Sequence, residues 1–148
     1  MVREHRVHPS DLIQPLFVHT GPDSPIESMP GQYHLSPGSA AQRAVELQAA
    51  GVPALILFGI PDSKDDAASS AYDEDGVVQT AIRAIRRAAP EMTVITDVCL
   101  CQYTSHGQCG VLRAGEVDND LTLELLAETA VSHAAAGAQT RRHRLEPP

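Results

Sequence analysis

The sequence lacks a long apolar run. Its longest apolar stretch, Val52–Ile60, is interrupted by Pro53 and Gly59, whereas a membrane-spanning helix needs ~20 consecutive apolar residues. The N-terminal segment MVREHRVHPS also has no hydrophobic stretch of the kind that secretory signals carry. The sequence therefore predicts no membrane partner and a cytoplasmic, reducing location, where thiolates persist as metal ligands.

Positive charge is also scarce. The 148 residues carry a formal net charge of -8, which argues against nucleic acid as a partner. The basic run Arg141–Arg144 is short and isolated, so we interpret it as a solvated tail. No glycine-rich phosphate loop follows any of the apolar runs, and this argues against nucleotide binding.

Lysine occurs only once, as Lys64 in the segment SKDD. A lysine that attacks a carbonyl must first lose its proton, which requires a desolvated site or neighbouring positive charge. Next to Asp65 and Asp66 the amine should instead keep its proton. We therefore interpret Lys64 as a surface loop residue.

Strands and helices are predicted to alternate along the chain. Apolar runs at 12–18, 54–58 and 93–100 are nearly continuous, as in parallel strands that are buried on both faces. Helical patterns follow at about 37–51, 75–89 and 119–137. This order requires right-handed crossovers between parallel strands, but it does not separate an open sheet from part of a (β/α)₈ barrel.

Each predicted helix has an expected buried side, and long loops follow the strands. The expected buried residues are Ala44, Val45 and Leu47 in the first helix, Val78, Ala81, Ile82 and Ile85 in the second, and Leu121, Leu125, Leu126 and Ala130 in the third. The loops cover 20–35, 60–73 and 102–118. In barrel enzymes the loops at this end of the strands carry the chemistry.

All the cysteines lie in one segment, TDVCLCQYTSHGQCG. On a strand Cys99 and Cys101 would point the same way, and Gly107 and Gly110 would let the next loop bring Cys109 back. Three thiolates without a fourth protein ligand suggest zinc with an open position. A disulfide is disfavoured because Cys99 and Cys101 are too close along the chain. Three unrelated buried cysteines remain an alternative.

This segment resembles the zinc loop of the porphobilinogen synthase (5-aminolevulinate dehydratase) family. HPSDLIQPLFV resembles the family's first barrel strand, and IESMPGQYHLS resembles the loop that follows it. ALILFGIPDSKDDAASSAYDEDGVVQTAIRAIR resembles the second strand, its loop and the next helix, and DNDLTLELLAETAVSHAAAGA the helix after the zinc loop. The resemblance covers 1–138 and implies an incomplete α/β fold, the first three β/α units of a TIM (β/α)₈ barrel. It leaves 139–148 as an unrelated irregular tail.

The resemblance also implies a function. Members of the family are lyases that condense two 5-aminolevulinate molecules into porphobilinogen with loss of water, in haem biosynthesis, and they are homo-oligomeric. Their lysines trap the substrate ketones, and zinc helps to bind and polarise the second substrate. Both lysines lie beyond the matching part, so we expect no turnover by these 148 residues alone.

The family's site residues carry over at a few positions. Cys99, Cys101 and Cys109 match the zinc ligands. Asp97 matches an aspartate that would orient a substrate amine or a metal-bound water, with a hydrogen-bond acceptor near a strand end as the alternative. His106 matches a zinc-loop histidine that would support the ligands, with an ordinary loop hydrogen bond as the alternative. Gln108 stands where zinc-dependent relatives often have another histidine.

Two other interpretations remain open. The chain could be a catalytically inactive, truncated product that still binds zinc. After Gly137 the sequence AQTRRHRLEPP departs from the family pattern as abruptly as a frameshift or premature stop would cause. It could also be a small α/β binding module unrelated to the family.

Overall fold

The computed structural model describes residues 6–139. The arginine-rich run and all of the predicted tail except Gln139 lie outside this range. Within it a five-stranded sheet has the order β2-β3-β1-β4-β5. The strands are β1 (Ile13–Val18), β2 (Ser24–Pro25), β3 (Tyr33–Leu35), β4 (Ala54–Gly59) and β5 (Thr93–Thr96).

The pairing is mostly parallel. Strand β4 pairs in parallel with β1 on one side and with β5 on the other, and β3 is also parallel to β1. Only β2 runs antiparallel, against β3. The short strands β2 and β3 lie inside the predicted loop 20–35, where two or three residues of pairing left no pattern long enough to detect.

Three helices connect and follow the main strands. They are α1 (Pro37–Ala49), α2 (Val77–Ala88) and α3 (Asn119–Ala136). The predicted boundaries are confirmed to within about two residues, because local chemistry sets them. Ser36 caps α1 by accepting the Ser39 N–H at 3.2 Å, and Pro37 follows at the first helical position. Gly137 ends α3 with a left-handed φ of 109°, as expected of a glycine C-cap.

The core lies between one face of the sheet and helices α1 and α2. Alternate strand residues and one side of each helix are fully buried there, among them Leu16, Val18, Leu55, Leu57, Val94, Ile82 and Ile85. The intervening strand residues, such as Phe17 and Phe58, are only half-buried on the opposite face. Among the described residues, the expectation that the strands would be buried on both faces of the sheet is therefore confirmed for one face only.

Two expectations for the helices are wrong. Val45 is 39% exposed, because α1 turns alanines and Leu47 towards the sheet instead. In α3 Ala130 is exposed, and the buried residues are Thr122, Thr129 and His133. Polar side chains are buried there because each has a nearby hydrogen-bond partner.

The third strand is shorter than predicted. It ends at Thr96 rather than at residue 100. Beyond it the Asp97 carboxylate accepts the Cys99 N–H at 3.2 Å, and the Leu100 carbonyl accepts the N–H of both Tyr103 and Thr104. These local bonds curl the chain away from the sheet. No helix among residues 6–139 is long and apolar enough to cross a membrane.

Candidate metal centre

The curled segment after β5 brings the three cysteine sulfurs together. Cys99 Sγ lies 3.3 Å from Cys101 Sγ and 3.3 Å from Cys109 Sγ, and all three sulfurs lie within 4.8 Å of one another. Tetrahedral coordination with metal–sulfur bonds of ~2.3 Å places sulfurs ~3.8 Å apart. The two 3.3 Å separations would need to lengthen by only about 0.5 Å, so the donor set fits such an ion.

The cysteines do not form a disulfide. All three are free thiols, and the sulfur separations are far longer than the ~2.05 Å of a disulfide bond. Cys109 is exposed and the other two are partly buried, so the group is not a set of unrelated buried cysteines either.

A small hydrophobic cluster supports the turn that carries Cys99 and Cys101. Leu100 is fully buried, Tyr103 is 3% exposed, and both pack with Ala68 and Ala71 from the loop after β4. Sequence reasoning did not identify Tyr103, because a single aromatic residue in a loop shows no periodicity.

The loop after β4 also binds the cysteine segment through its backbone. Asp65 N–H donates to the Tyr103 carbonyl at 3.2 Å, and Ser105 N–H donates to the Asp65 carbonyl at 3.1 Å. The Ser105 hydroxyl also donates to the Asp66 carboxylate. Two loops that follow different strands are thereby joined.

The return arm to Cys109 is fixed from within. Thr104 Oγ1 donates to the Gln108 carbonyl at 2.8 Å, and Gly107 has a left-handed φ of 74°. At Gly110 the chain approaches α3 closely, since a Cβ there would lie 2.5 Å from Thr122 Oγ1. The predicted roles of the two glycines are thus different: one turns the chain, and the other allows close contact.

A short antiparallel hairpin follows this contact. It consists of β6 (Leu112–Arg113) and β7 (Glu116–Val117). Thr122 Oγ1 accepts the Val111 N–H at 3.0 Å, which ties the start of the hairpin to the first turn of α3. The cysteine loop is therefore anchored at its beginning, middle and end.

The thiols influence one another's protonation. Burial raises the pKa of Cys99, but the Cys101 backbone N–H and the Cys109 and Cys101 thiols outweigh burial and hold that pKa below its ordinary value. The hydrogen bond with Cys99, together with burial, raises the pKa of the Cys101 thiol to about 12. The shared hydrogen bonds thus lower the pKa of Cys99 and raise that of Cys101.

The other predicted site residues lie around this group. Asp97 directly follows the end of β5, and its carboxylate accepts the Cys99 N–H at 3.2 Å. His106 accepts the Gln108 N–H at its Nδ1 at 3.2 Å, and its buried Nε2 has no hydrogen-bond partner among the described residues.

Lys64 is exposed, as predicted. It lies at the rim of a cavity at the carboxyl ends of β1 and β4, where Phe17 and Phe58 stack with ring centroids 5.5 Å apart. Gln102, next to the ligand candidate Cys101, lines the same cavity.

Comparison with known proteins decides the family. The profile of delta-aminolevulinic acid dehydratase matches residues 1–141. The chain belongs to the delta-aminolevulinic acid dehydratase family. It is 49% identical to the delta-aminolevulinic acid dehydratase of Halalkalibacterium halodurans over 140 residues, which cover 93% of this chain and 43% of that protein. Identity to the Bacillus subtilis protein of the same name is 48%, with the same coverage.

A solved structure of the family confirms the fold. The delta-aminolevulinic acid dehydratase of Toxoplasma gondii ME49, in complex with the reaction product porphobilinogen, superimposes with a TM-score of 0.87 at 39% identity. The match covers 93% of this chain and 40% of that chain. The prediction of an α/β fold built from the first three β/α units of the family's barrel is therefore confirmed. The chain spans less than half the length of these relatives.

Proposed function

We propose that the chain supplies the metal-binding part of a porphobilinogen synthase, the lyase that condenses two 5-aminolevulinate molecules into porphobilinogen. The convergence of the Cys99, Cys101 and Cys109 sulfurs at the carboxyl end of β5 carries this proposal. In barrel enzymes this end of the strands holds the reacting groups. The porphobilinogen bound to the Toxoplasma gondii relative supports the choice of substrate and product.

We propose zinc as the metal. Thiolate ligands select zinc over magnesium or calcium, which prefer oxygen, and a three-ligand site leaves one position open for substrate or water. When bound, the ion would polarise a substrate carbonyl or acidify a bound water. The three cysteines would hold it, and their combined negative charge would make it a mild Lewis acid.

The chain's own residues would then position the substrate. The Asp97 carboxylate accepts the backbone N–H of Cys99 with one oxygen. Its other oxygen would orient a substrate amine or a metal-bound water. His106 would support the return arm, because its Nδ1 holds the Gln108 N–H next to Cys109.

We propose that the 148 residues alone do not convert 5-aminolevulinate into porphobilinogen. Schiff-base chemistry needs a lysine in a desolvated site or near positive charge, whereas the only lysine, Lys64, is solvent-exposed. The alternative function is therefore that of a zinc-binding polypeptide without activity.

We further propose that the chain, like the full-length members of its family, works in a homo-oligomer.

Two measurements test these proposals. Cys101→Ser should sharply lower the zinc content of the purified chain, and unchanged metal stoichiometry would contradict the ligand assignment. A porphobilinogen assay on the 148-residue chain should give no product. Detectable turnover would instead contradict the argument from lysine.

A further inference from the structure

Tyr103 fills a slot that the sheet provides at Gly59, the last residue of β4. A Cβ atom at Gly59 would lie 2.2 Å from the Tyr103 hydroxyl oxygen and 2.5 Å from Val78 Cγ2. Gly59 does not have a positive φ, so the close approach, rather than backbone conformation, requires glycine there. The tyrosine ring thus reaches from the cysteine loop to the sheet.

The backbone of Tyr103 is fixed as firmly as its ring. Its N–H donates to the Leu100 carbonyl at 2.9 Å, and its carbonyl accepts the Asp65 N–H at 3.2 Å. The ring packs with Leu100, Ala68 and Ala71 and is 3% exposed. Two residues beyond Cys101, the chain is therefore anchored to the sheet and to the loop after β4.

The sulfurs themselves have no such support. Cys99 and Cys101 are only partly buried, and Cys109 is exposed. The position of Cys109 relative to Cys101 therefore depends on the backbone between these two residues, and Tyr103 anchors that segment to the sheet. Fixed ligands hold a metal more tightly than ligands that must be ordered on binding.

We propose that Tyr103 is a positioning residue for the three-cysteine centre. Its ring, seated against Gly59, fixes the turn that carries Cys101 and the start of the arm that returns Cys109. This inference rests on the proposed metal-binding role of the cysteines.

Replacement of Tyr103 tests the inference against a matched control. Tyr72 packs on the same hydrophobic cluster but lies outside the cysteine loop. Cobalt(II) is the probe, and the affinity and the sulfur-to-cobalt charge-transfer band are the readouts. Tyr103→Leu should weaken cobalt binding at least about tenfold, as for other residues that orient metal ligands, and should weaken the band. Tyr72→Leu should change cobalt affinity less than about twofold.

A double-mutant cycle serves if the leucine variant does not fold. Gly59→Ala should weaken cobalt binding, because the new methyl group displaces the tyrosine hydroxyl. The loss should be smaller in a Tyr103→Phe background, which removes that oxygen. Equal losses in the two backgrounds, or wild-type cobalt binding by Tyr103→Leu, would overturn the inference.

The failure of the metal proposal would look different. The wild-type chain would then show no charge-transfer band, whatever the residue at position 103. Phenylarsine oxide, which bridges neighbouring thiols, would still report whether the sulfurs are held together. Weaker arsenical binding by Tyr103→Leu than by Tyr72→Leu would support positioning without a metal, and equal binding would overturn it.

Discussion

Cys99 Sγ and Cys109 Sγ lie 3.3 Å apart although the two residues are ten positions apart in the sequence. The loop between them is bonded to the loop after β4 through Asp65 and to itself through Thr104. Bonds that do not involve the sulfurs therefore hold the two cysteines close together and preorganise them for an ion. Such preorganisation lowers the entropic cost of metal binding.

Removing the exposed thiol should abolish tight metal binding without unfolding the chain. Cys109→Ser is expected to weaken zinc binding at least ~100-fold, since it replaces one of the three proposed ligands. The free energy of unfolding of the metal-free chain should change by less than about 0.5 kcal/mol, because the side chain is exposed.

Chelator competition and thermal melting with and without zinc measure these two effects. Zinc should raise the melting temperature of the wild-type chain, because a ligand that binds only the folded state stabilises it. Glu116→Ala, an exposed change on the nearby hairpin, is the control and should keep the zinc response. A zinc response retained by Cys109→Ser would show that this sulfur is not a ligand.

Much of the scaffold could be predicted from local sequence. The Ser36–Pro37 start and the Gly137 stop depend on neighbouring residues only, and both were predicted correctly. The stripe containing Ile82 and Ile85 repeats at helical spacing, so its burial was predictable as well. Local signals succeed where the partner of a residue lies within one helical turn.

Features that depend on distant partners were missed. His133 is buried because Thr96, on another element, bonds its Nδ1, and nothing near it in the sequence indicates this. The predicted third strand extended to residue 100 because Val98 and Leu100 are apolar. In the structure the strand ends earlier, because the Asp97 carboxylate accepts the Cys99 N–H and turns the chain. The Tyr103–Gly59 contact was missed because it joins a loop to the end of a strand that is distant in the sequence.

Acid should destabilise the fold through His133. Burial lowers the pKa of this imidazole, and the Asp97 carboxylate offsets burial only in part. The unfolded chain takes up a proton near pH 6.5, whereas the folded chain does so only at lower pH. Below pH 6.5 the unfolded state therefore binds more protons, and the free energy of unfolding falls by at most about 1.4 kcal/mol per pH unit.

Urea unfolding at about pH 7.5 and about pH 5.5 measures this dependence. His133→Gln keeps a hydrogen-bonding side chain but has no proton to gain. The wild-type chain should lose more stability between the two pH values than the variant does. The same loss in both proteins would assign the acid sensitivity to other groups.

The Thr122 hydroxyl should contribute more to the free energy of unfolding than the hydroxyl of Thr129, which is also buried in α3. It accepts the Val111 N–H at 3.0 Å and donates to the Asp118 carbonyl at 2.6 Å. Thr122→Val preserves volume but leaves the Val111 N–H without its acceptor, which costs about 1–3 kcal/mol.

Thr129→Val is the matched control. The Thr129 hydroxyl is also buried, but it only donates to the Leu125 carbonyl within the same helix. Its removal should cost less than about 1 kcal/mol, because that carbonyl keeps its helical bond. Chemical denaturation compares the two variants. Equal losses would mean that the Val111 bond contributes little.

Replacement by alanine should destabilise the fold at Gly110 and stabilise it at Gly38. A Cβ at Gly110 would lie 2.5 Å from Thr122 Oγ1 and 2.6 Å from Val117 Cγ1. Gly110→Ala must therefore separate the cysteine loop from α3, which should cost about 1–3 kcal/mol by overpacking and also weaken zinc binding.

A Cβ at Gly38, in the first turn of α1, would meet nothing within 4 Å. Gly38→Ala should stabilise the fold by up to about 1 kcal/mol through helix propensity and leave zinc binding unchanged. Denaturation and zinc titration of both variants compare these effects, and normal zinc binding by Gly110→Ala would show that the loop reaches its geometry without contacting α3.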